Sequence, residues 1–313
     1  MYRLRVVGAT GGATRLLFQS PVLPAGYSAW SFVDLSSRGG RALMVHVLPG
    51  GQPPREATDD LYLADVRGQP ERLVVPATSS FVQSARWSPD GARFVFPTLD
   101  GGACGGFTFW SADSSGSDVQ RLGAGQLFAW GPGHDSFAIE HGCAGSPDRS
   151  GPLVFTDASG REHVVATGWH GGLAVSPGGD RIAYETYAAT ATVLHVARTD
   201  GSGELTAIRG ASSASWSPDG RRLSFTYGRR RWQGAIGVAS AAGRRVRKIV
   251  PGTNLRAPAW SPDGRRIAYV RGYRALETVA PTGRAKRRLA RAAVLLSFWW
   301  SADGRRIYYD GLG

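Results

Sequence analysis

The five residues Trp87-Ser88-Pro89-Asp90-Gly91 recur unchanged as Trp216-Ser217-Pro218-Asp219-Gly220 and Trp260-Ser261-Pro262-Asp263-Gly264, and once with a single change as Trp300-Ser301-Ala302-Asp303-Gly304. An internal repeat constrains a chain strongly, because each copy is one supersecondary unit that buries its apolar face only against its neighbours. Weaker copies are Trp130-Gly131-Pro132-Gly133-His134 and Val175-Ser176-Pro177-Gly178-Gly179. Taking Trp87, Trp130, Ala174, Trp216, Trp260 and Trp300 as equivalent, the spacings are 43, 44, 42, 44 and 40 residues.

That period is the length of a four-stranded propeller blade. Within each copy a first strand, A, ends at the Trp. A turn follows in which Pro fixes φ, Asp bonds local amides and Gly accepts the closing geometry. Strand B then alternates, as in Arg266-Ile267-Ala268-Tyr269-Val270. A second hairpin supplies strands C and D, as in Leu194 to Ala197, Thr199-Asp200-Gly201 and Glu204 to Ile208. A degenerate first copy fits at Leu35, with Trp30 as a rival register.

The last copy stops after strand B, near Tyr309-Asp310, whereas the chain opens on an orphan hairpin, Tyr2 to Val7, Thr10-Gly11-Gly12 and Thr14 to Leu17. From Trp300 through Gly313 and on to Leu35 is 13 + 35 = 48 residues, about one period. The two halves are expected to complete one blade and close a ring without exposed sheet edges. The expected fold is all-β: a single domain over 1–313, one closed β-propeller of seven four-stranded blades, with six as the alternative count.

These motifs resemble the TolB-like propeller repeat, a Trp-Ser-Pro-Asp-Gly relative of the WD repeat that also occurs in the propeller domains of prolyl oligopeptidase-type enzymes. The resemblance spans essentially the whole chain, though six blades are the family pattern in TolB itself. It implies a frame that hosts binding, scaffolding or catalysis. On that frame Trp87, Trp216, Trp260 and Trp300 are packing residues between blades, and Asp90, Asp219, Asp263 and Asp303 are turn acids.

Chemistry-bearing motifs are sparse. No Gly-x-Ser-x-Gly elbow of a hydrolase occurs, and His46, His134, His141, His163, His170 and His195 lack the spacing of a metal site. Ser111-Ala112-Asp113-Ser114-Ser115-Gly116 reads as a strand end rather than a sialidase box. No catalytic residue, metal ligand or cofactor is assigned. A recognition or scaffolding module is the favoured reading. The alternative is a propeller lyase, lactonase or hydrolase that gathers acids and histidines from separate blades at the central channel.

Charge is uneven. Residues 1–200 hold 15 Lys plus Arg against 18 Asp plus Glu, and residues 201–313 hold 22 against 6. A basic sector over the last three blades would steer anionic partners. Only Lys248 and Lys286 are lysines, so coding bias could also produce this composition. No nucleic-acid recognition module is present, which favours another protein or an anionic envelope component as partner. Strand order puts the B–C and D–A loops on one face, where Arg229, Arg230, Arg231, Arg271 and Arg274 gather with Arg256, Trp232 and Tyr273, a set suited to carboxylate or phosphate.

Cys104 and Cys143 fall in consecutive B–C loops and are candidates for a disulfide, with two free thiols as the alternative. The expected molecule is a monomer without a membrane-spanning segment. The pairing and the family resemblance together favour an extracytoplasmic setting, although Met1 is followed by a strand pattern rather than a secretory signal.

Overall fold

The computed structural model describes residues 2–19, 29–38, 40–47, 59–65, 70–75, 85–99, 106–142, 151–168, 170–188, 191–230 and 233–312. Every regular element among them is a β-strand and every pairing is antiparallel. Blade 1 is β3 (Ala29–Leu35), β4 (Arg41–Val47), β5 (Asp59–Asp65) and β6 (Pro70–Val75). Blade 2 is β7 (Arg86–Trp87), β8 (Arg93–Leu99), β9 (Phe107–Asp113) and β10 (Gln120–Gly125). Blade 3 is β11 (Leu127–Trp130), β12 (Phe137–Glu140), β13 (Gly151–Thr156) and β14 (Glu162–Gly168), and blade 4 is β15 (Gly171–Val175), β16 (Arg181–Ala188), β17 (Ala191–Arg198) and β18 (Glu204–Arg209).

The next sheet has seven strands: β19 (Ala211–Trp216), β20 (Arg222–Arg230), β21 (Gln233–Ser240), β22 (Arg247–Trp260), β23 (Ile267–Arg271), β24 (Ala275–Val279) and β25 (Arg287–Arg291). The 14-residue β22 carries strand D of one unit and strand A of the next, so we divide this sheet there into blades 5 and 6. Blade 7 joins the chain ends. β26 (Val294–Trp300) and β27 (Arg306–Leu312) supply A and B, and β1 (Tyr2–Gly8) and β2 (Arg15–Gln19) supply C and D. β1 pairs with β27 without a break from Tyr2↔Leu312 to Gly8↔Arg306, as the orphan hairpin leads one to expect.

The core has the same cyclic order. Buried clusters lie between blades 1 and 2 (Val33, Trp87, Phe94), 2 and 3 (Val95, Phe109, Trp130), 3 and 4 (Leu153, Ile182, Tyr184), and 4 and 5 (Leu194, Trp216, Phe225). They continue between 5 and 6 (Ile236, Trp260, Tyr269), 6 and 7 (Leu276, Val7, Ile307), and 7 and 1 (Leu4, Ala42, Met44). A sheet with both faces buried must read apolar on both, which is why strands such as β8 and β23 lack clean alternation.

The repeat residues are structural. Trp87, Trp130, Trp216 and Trp260 are buried, and three indoles reach back one blade: Trp130 donates to the Arg86 carbonyl (3.1 Å), Trp216 to Ala174 (2.9 Å) and Trp300 to Ala259 (3.2 Å). The register corrects one equivalence. Val175 pairs with Ile182 as Trp216 pairs with Leu223, so Val175, not Ala174, holds the Trp position in blade 4. Leu35, paired with Ala42, holds it in blade 1, and Trp30 does not.

In the turns one hydroxyl does two jobs. Ser217 Oγ donates to Asp219 Oδ1 (2.5 Å) and accepts from the Arg222 amide (2.9 Å), and Ser88, Ser261 and Ser301 repeat the pattern. Partial burial would raise the Asp90 carboxyl, but the Ser88 hydroxyl and His134 (2.6 Å) outweigh it and hold the group at about 2. Ser111 to Asp113 ends β9, where Asp113 caps the C–D turn through the Ser115 and Ser117 amides.

The turn glycines have positive φ, +65° at Gly91 and +66° at Gly220, so an L side chain there costs about 1–2 kcal/mol. Their surroundings differ. A Cβ on Gly220 would meet only Pro177 at 3.8 Å, whereas on Gly91 it would lie 2.8 Å from Ser36 Oγ and 2.9 Å from Arg38 Cγ. Thermal melts should show Gly91→Ala losing more than Gly220→Ala, with the latter down only a few degrees. Equal losses would mean that the turn-to-turn contact between blades 1 and 2 is not tight.

Candidate functional site

Strand A of each blade faces the ring axis, and in five blades it is interrupted. Register shifts fall at Phe32/Asp34, Gly171/Ala174, Ser212/Ser215, Arg256/Ala259 and Leu295/Phe298. Such bulges free backbone groups from the ladder and re-aim side chains. Gly172, Ser213 and Ala257, each three residues before the Trp position, carry positive φ.

Carboxylates capture several amides along these inner strands. Ser213 N–H donates to Glu185 Oε1 (2.7 Å), Ser297 N–H to Asp310 Oδ1 (2.6 Å) and Trp87 N–H to Asp34 Oδ2 (2.8 Å). Burial pushes Asp310 up to about 7 and Asp34 up to about 6, against the lowering pull of Arg86 on the latter. Glu140, Glu185 and Asp310 hold one repeat position, ten residues after Trp130, Val175 and Trp300.

The axial cavity, about 390 Å³, is lined by Arg86, Ser213, Ser215, Arg256, Ser297 and Trp299 together with apolar residues of the same inner strands. Arg256 lies over the Tyr273 ring, and its Nε and one terminal nitrogen are shielded from solvent without a hydrogen-bond acceptor. Among the described residues no histidine lines this cavity.

A second cleft, about 620 Å³, opens at blade 6 between its B–C turn and the end of strand D, lined by Arg271, Arg274, Arg288 and Arg291. A third polar group is enclosed between blades 3 and 4. Glu140 is fully buried with neither carboxylate oxygen hydrogen-bonded, and buried His170 lies 4.0 Å away. Burial pushes Glu140 up to about 7 and His170 down, the latter assisted by His195. His170 meets Tyr184 edge-on, and Tyr184 stacks on His195.

The basic set expected on the B–C and D–A face is thus divided. Arg256 and Tyr273 sit together at the axis, and Arg271 and Arg274 belong to the outer cleft. Arg229 and Arg230 are on β20, with Arg230 opposite Gln233, and their side chains lie outside the described residues, as do Arg231, Trp232, Cys104 and Cys143. Arg86, Asp34, Trp299, Arg288, Arg291 and the Glu140–His170 pair were not among the expected residues. Aligned by blade position the three inner acids share one place in the repeat, but the other copies carry no acid there.

The architecture is that of a closed β-propeller. Among solved structures the chain is similar to a putative TolB from Agrobacterium tumefaciens, at 16% identity over 99% of this chain and 97% of that one with a TM-score of 0.52. It is also similar to an oligogalacturonate lyase from Vibrio parahaemolyticus, at 12% identity over 94% and 96% with a TM-score of 0.63. A third similar structure is Sqt1 from Chaetomium thermophilum, at 17% identity over 89% and 78% with a TM-score of 0.54. No family model and no curated protein matches the sequence. Those likenesses show a shared propeller frame, which carries a lyase in one neighbour and a putative TolB in another. No helix among the described residues is long and apolar enough to cross a membrane.

Proposed function

We propose that this propeller is a non-catalytic recognition module whose B–C and D–A face receives an anionic group of another protein or of a cell-envelope component. The observation that carries this reading is Arg256: shielded guanidinium donors without an acceptor, at the rim of a cavity that also holds Arg86. Leaving buried donors unpaired costs about 1–3 kcal/mol, more for charged groups, and an incoming carboxylate or phosphate would remove that cost. Exposed Tyr273 and Leu296 beside them offer apolar contact. Arg229, Arg230, Arg231 and Trp232 extend the same basic rim in this reading, and the partner meets a monomeric propeller outside the cytoplasm.

The alternative, a propeller enzyme, is favoured by one observation, the buried Glu140–His170 pair, whose two groups have opposed pKa shifts. Neither residue lines the described axial cavity.

The test is direct. Fluorescence anisotropy with a labelled hexaglutamate peptide should show binding by the native protein that weakens at least tenfold, roughly 1.4 kcal/mol, in the Arg86→Ser/Arg256→Ser variant. Equal affinity in a variant with an unchanged melting temperature would move the recognition site elsewhere.

A further inference from the structure

The blade-6 cleft is the most arginine-rich of the described clefts. On the opposite, A–B turn face, the cleft lined by Asp180, Arg181, Asp219 and Arg221 alternates acid with base, and Arg181 is bonded to Asp180 at 3.0 Å. The blade-6 cleft is lined by four arginines and no acid. One carboxylate stands behind it, Glu277, nearly buried on β24. It accepts from Tyr269 OH (2.7 Å), Arg271 Nε (3.1 Å) and Arg288 Nε (3.4 Å). Burial would raise Glu277, but donation from Tyr269 and Arg271 holds it low, so it stays ionised.

Glu277 therefore works as an anchor. It engages both arginines through Nε, which orients each fork from behind and leaves the terminal nitrogens for another acceptor. Arg274 and Arg291 are brought alongside by the backbone: Ala275 pairs with Arg291, and the Ala292 amide donates to the Arg274 carbonyl (2.9 Å). Neither has an acidic partner among the described residues. With Glu277 counted, the group carries three uncompensated positive charges that cannot be shed, because guanidinium does not deprotonate in this setting.

We propose that this cleft binds the phosphate group of a phosphorylated ligand. A carboxylate offers two coplanar oxygens and one charge, whereas a phosphate monoester offers three oxygens and up to two charges to forks arriving from a turn and from strand D. The inference shares only the recognition face with the function proposed above and uses other residues, so the two can fail separately.

Isothermal titration with pyrophosphate, inorganic phosphate and acetate tests it. Pyrophosphate should bind one-to-one and at least tenfold more tightly than acetate. Arg274→Ser/Arg291→Ser should weaken pyrophosphate at least tenfold, Arg274→Lys/Arg291→Lys should lose part of the affinity because charge is kept and the fork is not, and Arg86→Ser/Arg256→Ser should leave it unchanged. Co-sedimentation with vesicles of phosphatidylcholine containing phosphatidic acid distinguishes a lipid headgroup, which would carry the protein down, from a soluble phosphate, which would not. Acetate binding as tightly as pyrophosphate, or a native-like affinity in the folded Ser variant, overturns the proposal.

Discussion

A chain lacking residues 1–19 should lose cooperative folding. Removing β1 and β2 strips strands C and D from blade 7, leaving β27 with a free edge along the whole of its pairing with β1. The damage reaches both neighbours, because Val7 belongs to the core between blades 6 and 7, and Leu4 to the core between blades 7 and 1. Leu4 and Val7 are essentially fully buried, and each truncated large aliphatic in such a core costs about 2–5 kcal/mol, an appreciable share of a domain's typical 5–15 kcal/mol. The freed β27 edge offers unpaired backbone groups to a second molecule. Size-exclusion chromatography should therefore show aggregate, and calorimetry should show no single sharp transition. A synthetic peptide of residues 1–19 added during refolding should restore monomer. A monomeric truncated chain with the native melting temperature would contradict closure through this hairpin.

The ring was legible in the sequence because each interface asks for the same thing. An indole at the end of strand A fills the space against the preceding blade, and the Ser-Pro-Asp-Gly turn needs the Ser hydroxyl and Asp carboxylate for local hydrogen bonds, the fixed φ of Pro and a positive φ at Gly. Where blade 4 replaces the indole by Val175 and places Gly171 and Gly172 upstream, the reading slipped by one residue, since no large side chain marked the register. The composite blade was legible for a different reason: an unpaired hairpin at one end and a half-blade at the other are each unstable alone.

The sites were less legible. Arg271 and Arg274 stood out as loop arginines, but Arg288 and Arg291 sit in an outer strand without a motif around them, and nothing local says that Glu277 ties Arg288 to Arg271. The inner acids were hidden by their neighbours. At the position of Glu140, Glu185 and Asp310, other blades carry Val45, Pro97, Thr226 and Val270, so no conserved letter marks it within the repeat. Its meaning appears only when the strand A bulge turns an amide toward it, as Ser213 does toward Glu185.

Those inner acids predict an unusual pH dependence. Asp310 and Glu140 are buried, with carboxyls pushed up to about 7 from their ordinary values of 3.8 and 4.5, and Asp34 is raised to about 6. For a carboxyl whose folded pKa exceeds its unfolded one, the folded state binds the proton more tightly. Its stabilisation is complete below the unfolded value and is lost as pH rises through the folded value. The loss is on the order of 4 kcal/mol for Asp310 and 3 kcal/mol for Glu140, and it accumulates between about pH 4 and pH 7. His170 opposes this, because burial holds it below 6.5 and its contribution falls as pH drops below that value. The turn acids oppose it at lower pH: Asp90, depressed to about 2, stabilises above 3.8 and ceases to do so as pH falls through 2. Two fully buried carboxyls outweigh one histidine, so the melting temperature should peak near about pH 5 and fall by several degrees towards pH 8. Asp310→Asn keeps an acceptor for the Ser297 amide while removing the charge, and its melting curve should be flatter across this range, crossing above the native protein on the alkaline side. A native melting temperature that rises steadily from pH 5 to pH 8 would mean that these carboxyls are ionised in the fold, stabilised by polar contacts, the Ser297 amide at Asp310 among them, strong enough to outweigh burial.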